Sequence, residues 1–363
     1  MLTLMKEKTL PAVDSANNLI SRDPEPGEVS ETQGASETQW AVRTSNLSKA
    51  YGEIIAVNAI DLGVAAGETF GFLGPNGAGK STTIKMLCTL VRPTDGQAYV
   101  AGYNVTKNRD AVRRNIGLVF QEPTLDSYLS AEQNLKFHAD LYGMKRSIVA
   151  SRIREVLEMV GLWERRESKV STFSGGMKRR LEIARGLLHS PKVLFLDEPT
   201  VGLDPQTRSS IWSYINNLHE TEEITIFMTT HYMDEAEYCD RIAIMDKGQI
   251  VALGSPAELK GAVGKDRITM EVNEVQRTIE SIDKTFGIRA ELREGVVSIN
   301  VEDGARFVPR LFNELDVPIR SISVSRPSLD DVFLSYTGTT IREAESAGPA
   351  DFVKTMLAAQ ARR

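Results

Sequence analysis

The sequence predicts an α/β fold that is interrupted by a block of helices and followed by a small α+β unit. Three observations predict it. Strand and helix signals alternate from Trp40 to about Gly254; strand signals vanish between Leu125 and Phe173; and the stretch from Arg267 to Val324 reads strand, helix, strand, strand, helix, strand. Alternation of the first kind marks an α/β core, and each change of period marks a change of architecture.

The elements follow in order. From Thr9 to Gln39 the chain is rich in Ser, Glu, Pro, Gly, Asn and Thr. Such a composition cannot bury enough surface to offset the entropy of ordering, so residues 1–39 are expected to be a disordered leader. Alternating segments at Trp40–Leu47, Ile54–Val64 and Glu68–Leu73 predict an antiparallel strand set leading into a glycine-rich loop. A helical run, Thr82–Leu90, follows that loop and Pro93 helps to end it. The helical block, about 125–173, contains Ala131–Tyr142 and Ser147–Val160. Behind it come a helix at Met177–Leu188 and apolar strands at Val193–Leu196 and Ile224–Met228. Ser255-Pro256 places an N-cap and a first-turn proline at the start of the helix that closes a large domain, 40–262.

The small unit, 266–337, has the βαββαβ order of ferredoxin-like domains, with Arg293-Glu294-Gly295 as its hairpin turn and a last helix at Ser328–Tyr336. The tail, 338–363, is polar and flexible apart from an amphipathic stretch at Asp351–Gln360 carrying Phe352, Val353, Met356 and Leu357 on one side.

Composition narrows the function. With 363 residues, 41% hydrophobic and 25% charged, the chain can bury a sizeable core. Its net charge of −6 argues against a protein whose main task is gripping a nucleic-acid backbone. Cys88 and Cys239 lie in apolar or helical contexts and read as buried free thiols of a reducing compartment. No run of about 18 apolar residues occurs, and Met1–Pro11 carries charges where a signal peptide would be apolar, so the cytoplasm is the expected location.

The chemistry begins at Gly74-Pro75-Asn76-Gly77-Ala78-Gly79-Lys80-Ser81, a GxxxxGK[ST] match placed between the apolar strand Phe70–Leu73 and a helix that opens with Thr82. Glycines let backbone N–H groups wrap phosphates, and a helix N-terminus adds partial positive charge. Lys80 can then neutralise the β- and γ-phosphates while the Ser81 hydroxyl ligates Mg²⁺. Kinases, GTPases and motors share this cradle, so it does not by itself choose among them.

Two further stretches resemble one family closely. Thr172-Phe173-Ser174-Gly175-Gly176-Met177-Lys178-Arg179-Arg180-Leu181 is similar to the signature of ABC ATPases, and Val193-Leu194-Phe195-Leu196-Asp197-Glu198-Pro199-Thr200-Val201-Gly202-Leu203-Asp204-Pro205 to their Walker B motif and D-loop. Tyr51, Gln121 and His231 stand where the family has an adenine-stacking aromatic, a glutamine and a histidine, and the resemblance runs from Val42 to Leu253. Phe173 and Met177 depart from the commoner LSGGQ. The Met-Lys-Arg-Arg form and the ending Pro327-Ser328-Leu329-Asp330-Asp331-Val332-Phe333-Leu334 are similar to the daunorubicin/doxorubicin-resistance type exporters.

The resemblance implies a P-loop core with an antiparallel β subdomain and an inserted helical subdomain, using ATP and Mg²⁺. It implies that Asp197 joins Ser81 and Gln121 on the metal, that Glu198 polarises the attacking water, and that His231 contacts the γ-phosphate. Ser174, Gly175 and Gly176 of one protomer would close on the ATP of a second copy, with Asp204 at the seam of the homodimer. A separate membrane permease would dock in a groove beside Gln121, lined by Glu122–Asp126 and Leu129–Leu135, and would hold the chain on the cytoplasmic face of the membrane. Tyr51 also fits a plain strand tyrosine. DNA-repair machines would insert coiled coils between cradle and signature, and translation factors would carry a second cassette; neither is present. A regulatory ATPase acting on a membrane partner without transport is the alternative to an exporter.

Overall fold

The computed structural model describes residues 39–338 apart from 223, 294, 295 and 316. The expected leader, the tail helix and most of the hairpin turn at Arg293-Glu294-Gly295 lie outside the described residues. A six-stranded sheet forms the centre, in the order β10 (Gln249–Gly254), β9 (Arg241–Asp246), β3 (Thr69–Leu73), β8 (Thr225–Thr230), β7 (Val193–Asp197), β6 (Ile116–Val119). The five strands from β9 to β6 are parallel, and β10 pairs antiparallel at one edge.

Every residue of β3, β7 and β8 is buried, as expected for parallel strands covered on both faces. On one face Phe70, Phe72, Phe195 and Phe227 pack with centroids 5.3–5.9 Å apart beneath α1 (Lys80–Leu87). The same cluster takes in Val42 and Val57 of a four-stranded antiparallel sheet, ordered β2 (Ile54–Ala65), β1 (Trp40–Tyr51), β4 (Asp95–Val100), β5 (Tyr103–Asn104). On the other face Leu194, Leu196, Ile226 and Met228 meet the helical block. That block contains α3 (Ala131–Leu141) and α4 (Arg146–Met159); α2 (Arg109–Asn115) lies ahead of β6, and α5 (Gly175–Leu187) and α6 (Pro205–Glu222) follow the block.

Four sequence expectations are corrected. The segment 68–73 does not join the antiparallel set: β3 pairs in parallel with β8 and β9, because its buried residues need cover on both faces. The helix after the cradle begins at Lys80, so the motif's last residues form its first turn, and it ends at Leu87. The helix after Phe173 begins at Gly175, with Ser174 as its N-cap accepting from Met177 N. The last helix, α11 (Leu329–Thr337), was grouped with the small unit, yet it packs on α8 (Pro256–Val263), and its Leu329, Val332 and Phe333 belong to the larger core.

Between α8 and α11, the strands β11 (Asp266–Val272), β12 (Glu291–Arg293), β13 (Val296–Val301) and β14 (Ile319–Ser325) form an antiparallel sheet ordered β12-β13-β11-β14. Helices α9 (Val275–Phe286) and α10 (Gly304–Glu314) cover one face through Ile282 and Leu311, giving the ferredoxin-like arrangement. Both cysteines are buried.

Candidate active site

The strand ends β3, β7 and β8 bring the chemistry together at the carboxyl edge of the parallel sheet, the usual place for a ligand in such sheets. The cradle leaves β3 and enters α1 through Gly79, whose φ of +108° suits glycine; a Cβ there would meet Ala56 O at 2.5 Å. Lys80, 4% exposed, donates to Gly74 O at 2.6 Å and to Pro75 O at 3.1 Å, and its ammonium lies 3.6 Å from Glu198 Oε1. Ser81 Oγ donates to Asp197 Oδ1 at 3.0 Å. Asp197 ends β7, and Glu198 turns out of it with φ +47°, a strained conformation for a residue with a side chain.

His231, just after β8, puts Nδ1 3.4 Å from Glu198 Oε1; that nitrogen is buried and makes no hydrogen bond among the described residues. Burial works to raise the Glu198 carboxyl, but the His231 ring and the Lys80 ammonium outweigh it and hold the group below its ordinary value. The acid is therefore ionised at neutral pH. Ser81 and Asp197 supply a hydroxyl and a carboxylate in contact, the hard oxygen donors that Mg²⁺ takes alongside substrate phosphates.

Other expected residues stand apart from this cluster. Tyr51 is 48% exposed at the end of β1, with Lys49 Nζ over its ring at 4.9 Å. Gln121 is exposed and hydrogen-bonds to neither Ser81 nor Asp197. Asp204 caps α6, accepting from Thr207 N at 2.9 Å and Thr207 Oγ1 at 2.6 Å; those bonds hold its carboxyl below the usual range. Ser174 and Gly175 are exposed at the start of α5, while Gly176 is buried against Thr207.

Sequence reasoning missed the residues that hold the turn after β7. Arg179, buried, donates to Phe120 O, to Pro199 O at 2.6 Å, to Asp197 O at 3.2 Å and to Glu198 O at 3.3 Å, and it pairs with Glu182 at 3.2 Å. Glu182 in turn accepts from Thr124 N at 2.7 Å. The Arg179/Glu182 spacing of three on a helix was visible, but not that the pair faces inward. Glu235 accepts from Thr200 Oγ1 and from Thr230 Oγ1, tying the turn after β7 to the end of β8.

Beside Gln121 a groove of about 610 Å³ runs between α2 and β6 on one side and α3 and α5 on the other. Leu90, Phe120 and Leu141 line it together with Arg113, Arg114 and Arg185, none of which makes an ion pair among the described residues. Of the segments expected to line it, only Thr124 does. Ala131, Leu135 and Ala139 turn into the core at a spacing of four, so α3 offers His138 and Leu141 to the groove instead.

A helix N-terminus bearing a glycine loop and a lysine, opposite two adjacent acids at a strand end, defines the class of P-loop nucleotide hydrolases. Comparison with known proteins narrows that class. Residues 57–201 match the family model described as ABC transporter, and residues 254–337 match the model described as ATP-binding protein DrrA1-3-like, C-terminal domain. The linearmycin resistance ATP-binding protein LnrL of Bacillus subtilis is 38% identical over 83% of this chain and 100% of its own length. The daunorubicin/doxorubicin resistance ATP-binding protein DrrA of Streptomyces peucetius is 39% identical over 82% of this chain and 92% of its own.

Among solved structures, cbiO1 of Clostridium perfringens, part of the ABC transporter complex cbiONQ, aligns with a TM-score of 0.58 at 27% identity, covering 69% of this chain and 96% of that one. The dimeric post-hydrolysis cassette MJ0796 bound to ADP and Pi aligns with a TM-score of 0.54 at 30% identity, covering 59% and 98%. The chain belongs to the ATP-binding proteins of ABC transporters, in the branch of the drug-resistance cassettes, and is an ATPase. No helix among the described residues is long and apolar enough to cross a membrane.

Proposed function

We propose that this chain powers export of toxic small molecules by hydrolysing ATP at two sites shared across a homodimer, on the cytoplasmic face of the membrane, against a separate permease. The observation that carries the reading is the convergence of Lys80, Ser81, Asp197, Glu198 and His231 within hydrogen-bonding or ion-pair reach across the ends of three parallel strands. The resistance functions named for the relatives support export of such compounds.

In this reading the backbone from Gly74 to Lys80 holds the phosphates, with Thr82 in the same first helical turn, and Tyr51 offers its exposed face to adenine. Ser81 and Asp197, joined by Gln121 from the loop after β6, would hold Mg²⁺, which would neutralise charge on the substrate phosphates. Glu198, ionised and 3.4 Å from His231, orients and deprotonates the attacking water, and Lys80 stabilises the charge that develops. The exposed Ser174 and Gly175 at the N-terminus of α5 offer an anion site to a second copy's ATP, and Asp204 sits beside them through Thr207 and Gly176. The arginines and apolar floor of the groove suit an amphipathic cytoplasmic segment of the permease that carries acidic groups.

Glu198→Gln tests the core of this. With ATP and Mg²⁺, light scattering is expected to show a dimer, and phosphate release is expected to fall at least a hundredfold. Normal turnover in the variant would remove Glu198 from the mechanism; lost turnover without a dimer would remove the shared sites.

A further inference from the structure

We propose that the Thr229 hydroxyl is a positioning group for ATP hydrolysis, fixing both acids of the catalytic turn through a single oxygen. The inference rests on the reading above that Asp197 and Glu198 carry the reaction. Thr229 is fully buried in β8, directly opposite Asp197 of β7. Its Oγ1 lies 2.6 Å from Asp197 Oδ1 and 3.0 Å from Glu198 N.

The direction of both bonds is forced. A backbone N–H only donates, so Thr229 Oγ1 takes the Glu198 N–H on a lone pair and directs its own single proton to Asp197 Oδ1. Asp197 Oδ1 thereby receives Thr229 as well as Ser81, which fixes the rotation of the carboxylate about its side chain. On the neighbouring residue, the Glu198 N–H is held from the β8 side while Arg179 holds the Asp197 and Glu198 carbonyls from the α5 side. The peptide units that carry φ +47° at Glu198 are thus pinned on both edges, and the strained turn persists because its surroundings over-determine it.

A threonine in a buried strand is ordinarily there for its branched shape, and valine has the same shape and a higher strand preference. The hydroxyl is what distinguishes the two explanations. The test compares two pairs of full-length proteins that differ by one oxygen: wild type with Thr229→Val, and Thr229→Ser with Thr229→Ala. The readouts are kcat and KM for ATP, the Mg²⁺ concentration giving half-maximal rate, and the hydrogen exchange of the Glu198 amide without nucleotide.

In both pairs the hydroxyl-free member is expected to lose ten- to a hundredfold in kcat, as outer partners of metal ligands commonly do. KM for ATP should change less than threefold, the Mg²⁺ requirement should rise, and the Glu198 amide should exchange faster. Equal kcat and equal Glu198 protection within either folded pair would overturn the proposal. So would equal losses in Ser and Val variants, which would assign the effect to shape. Failure of the reading beneath it shows separately, as unimpaired turnover in Glu198→Gln.

Discussion

Gly176→Ala is the most quantitative probe of how the signature helix is seated. A Cβ on Gly176 would stand 2.4 Å from Thr207 Cγ2, but 3.7 Å from Thr207 Cβ and Oγ1. Thr207 cannot swing away freely, because Asp204 holds its amide at 2.9 Å and its hydroxyl at 2.6 Å. Overpacking of this kind costs about 1–3 kcal/mol, while replacing a helical glycine by alanine returns up to about 1 kcal/mol. The single variant should therefore lose up to about 3 kcal/mol. Thr207→Ser removes the methyl and keeps the hydroxyl on Asp204, so in that background the sign reverses and Gly176→Ala should gain up to about 1 kcal/mol. Urea denaturation of the four proteins in a double-mutant cycle should give a coupling of about 1–3 kcal/mol. A coupling below about 0.5 kcal/mol would refute the contact between the signature and the start of α6.

Tyr51→Ala should weaken ATP binding about fivefold to a hundredfold, the worth of one base stacked on an aromatic ring, while Tyr51→Phe should not; titration with a fluorescent ATP analogue checks it, and equal affinities would leave Tyr51 a plain strand residue. Burial, helped by Arg185 and His189, lowers the His138 imidazole to about 4. The unfolded chain then binds the extra proton between pH 6.5 and that value, so the stability His138 contributes is complete above 6.5 and drains away as pH falls toward 4. The slope is at most about 1.4 kcal/mol per pH unit. Melting curves across this range should be flatter for His138→Gln, and unchanged slopes would count against the neutral ring.

By itself the sequence determined what is local. The cradle is eight consecutive residues between a strand and a helix, and its wrapping geometry follows from glycines, a lysine and a helix start in that order. The βαββαβ order was legible for the same reason: each strand and helix carries its own period, and the ferredoxin-like sheet follows from their sequence. The capping signal at Ser255 marks a helix start correctly because a cap involves only the next three residues.

Only the tertiary structure decided what depends on distant partners. The segment 69–73 looks the same whether its neighbour is β2 or β8; its pairing with residues 226–230 comes from burial on both faces, a property of the assembled sheet. In the sequence Arg179 is one residue of the signature-like stretch, and α11 reads as the end of the small unit. The guanidinium is buried on the carbonyls of the turn after β7, and the helix returns to the larger core. Burial and hydrogen-bond pairing of such groups are set by residues tens to hundreds of positions away, and no local period encodes them.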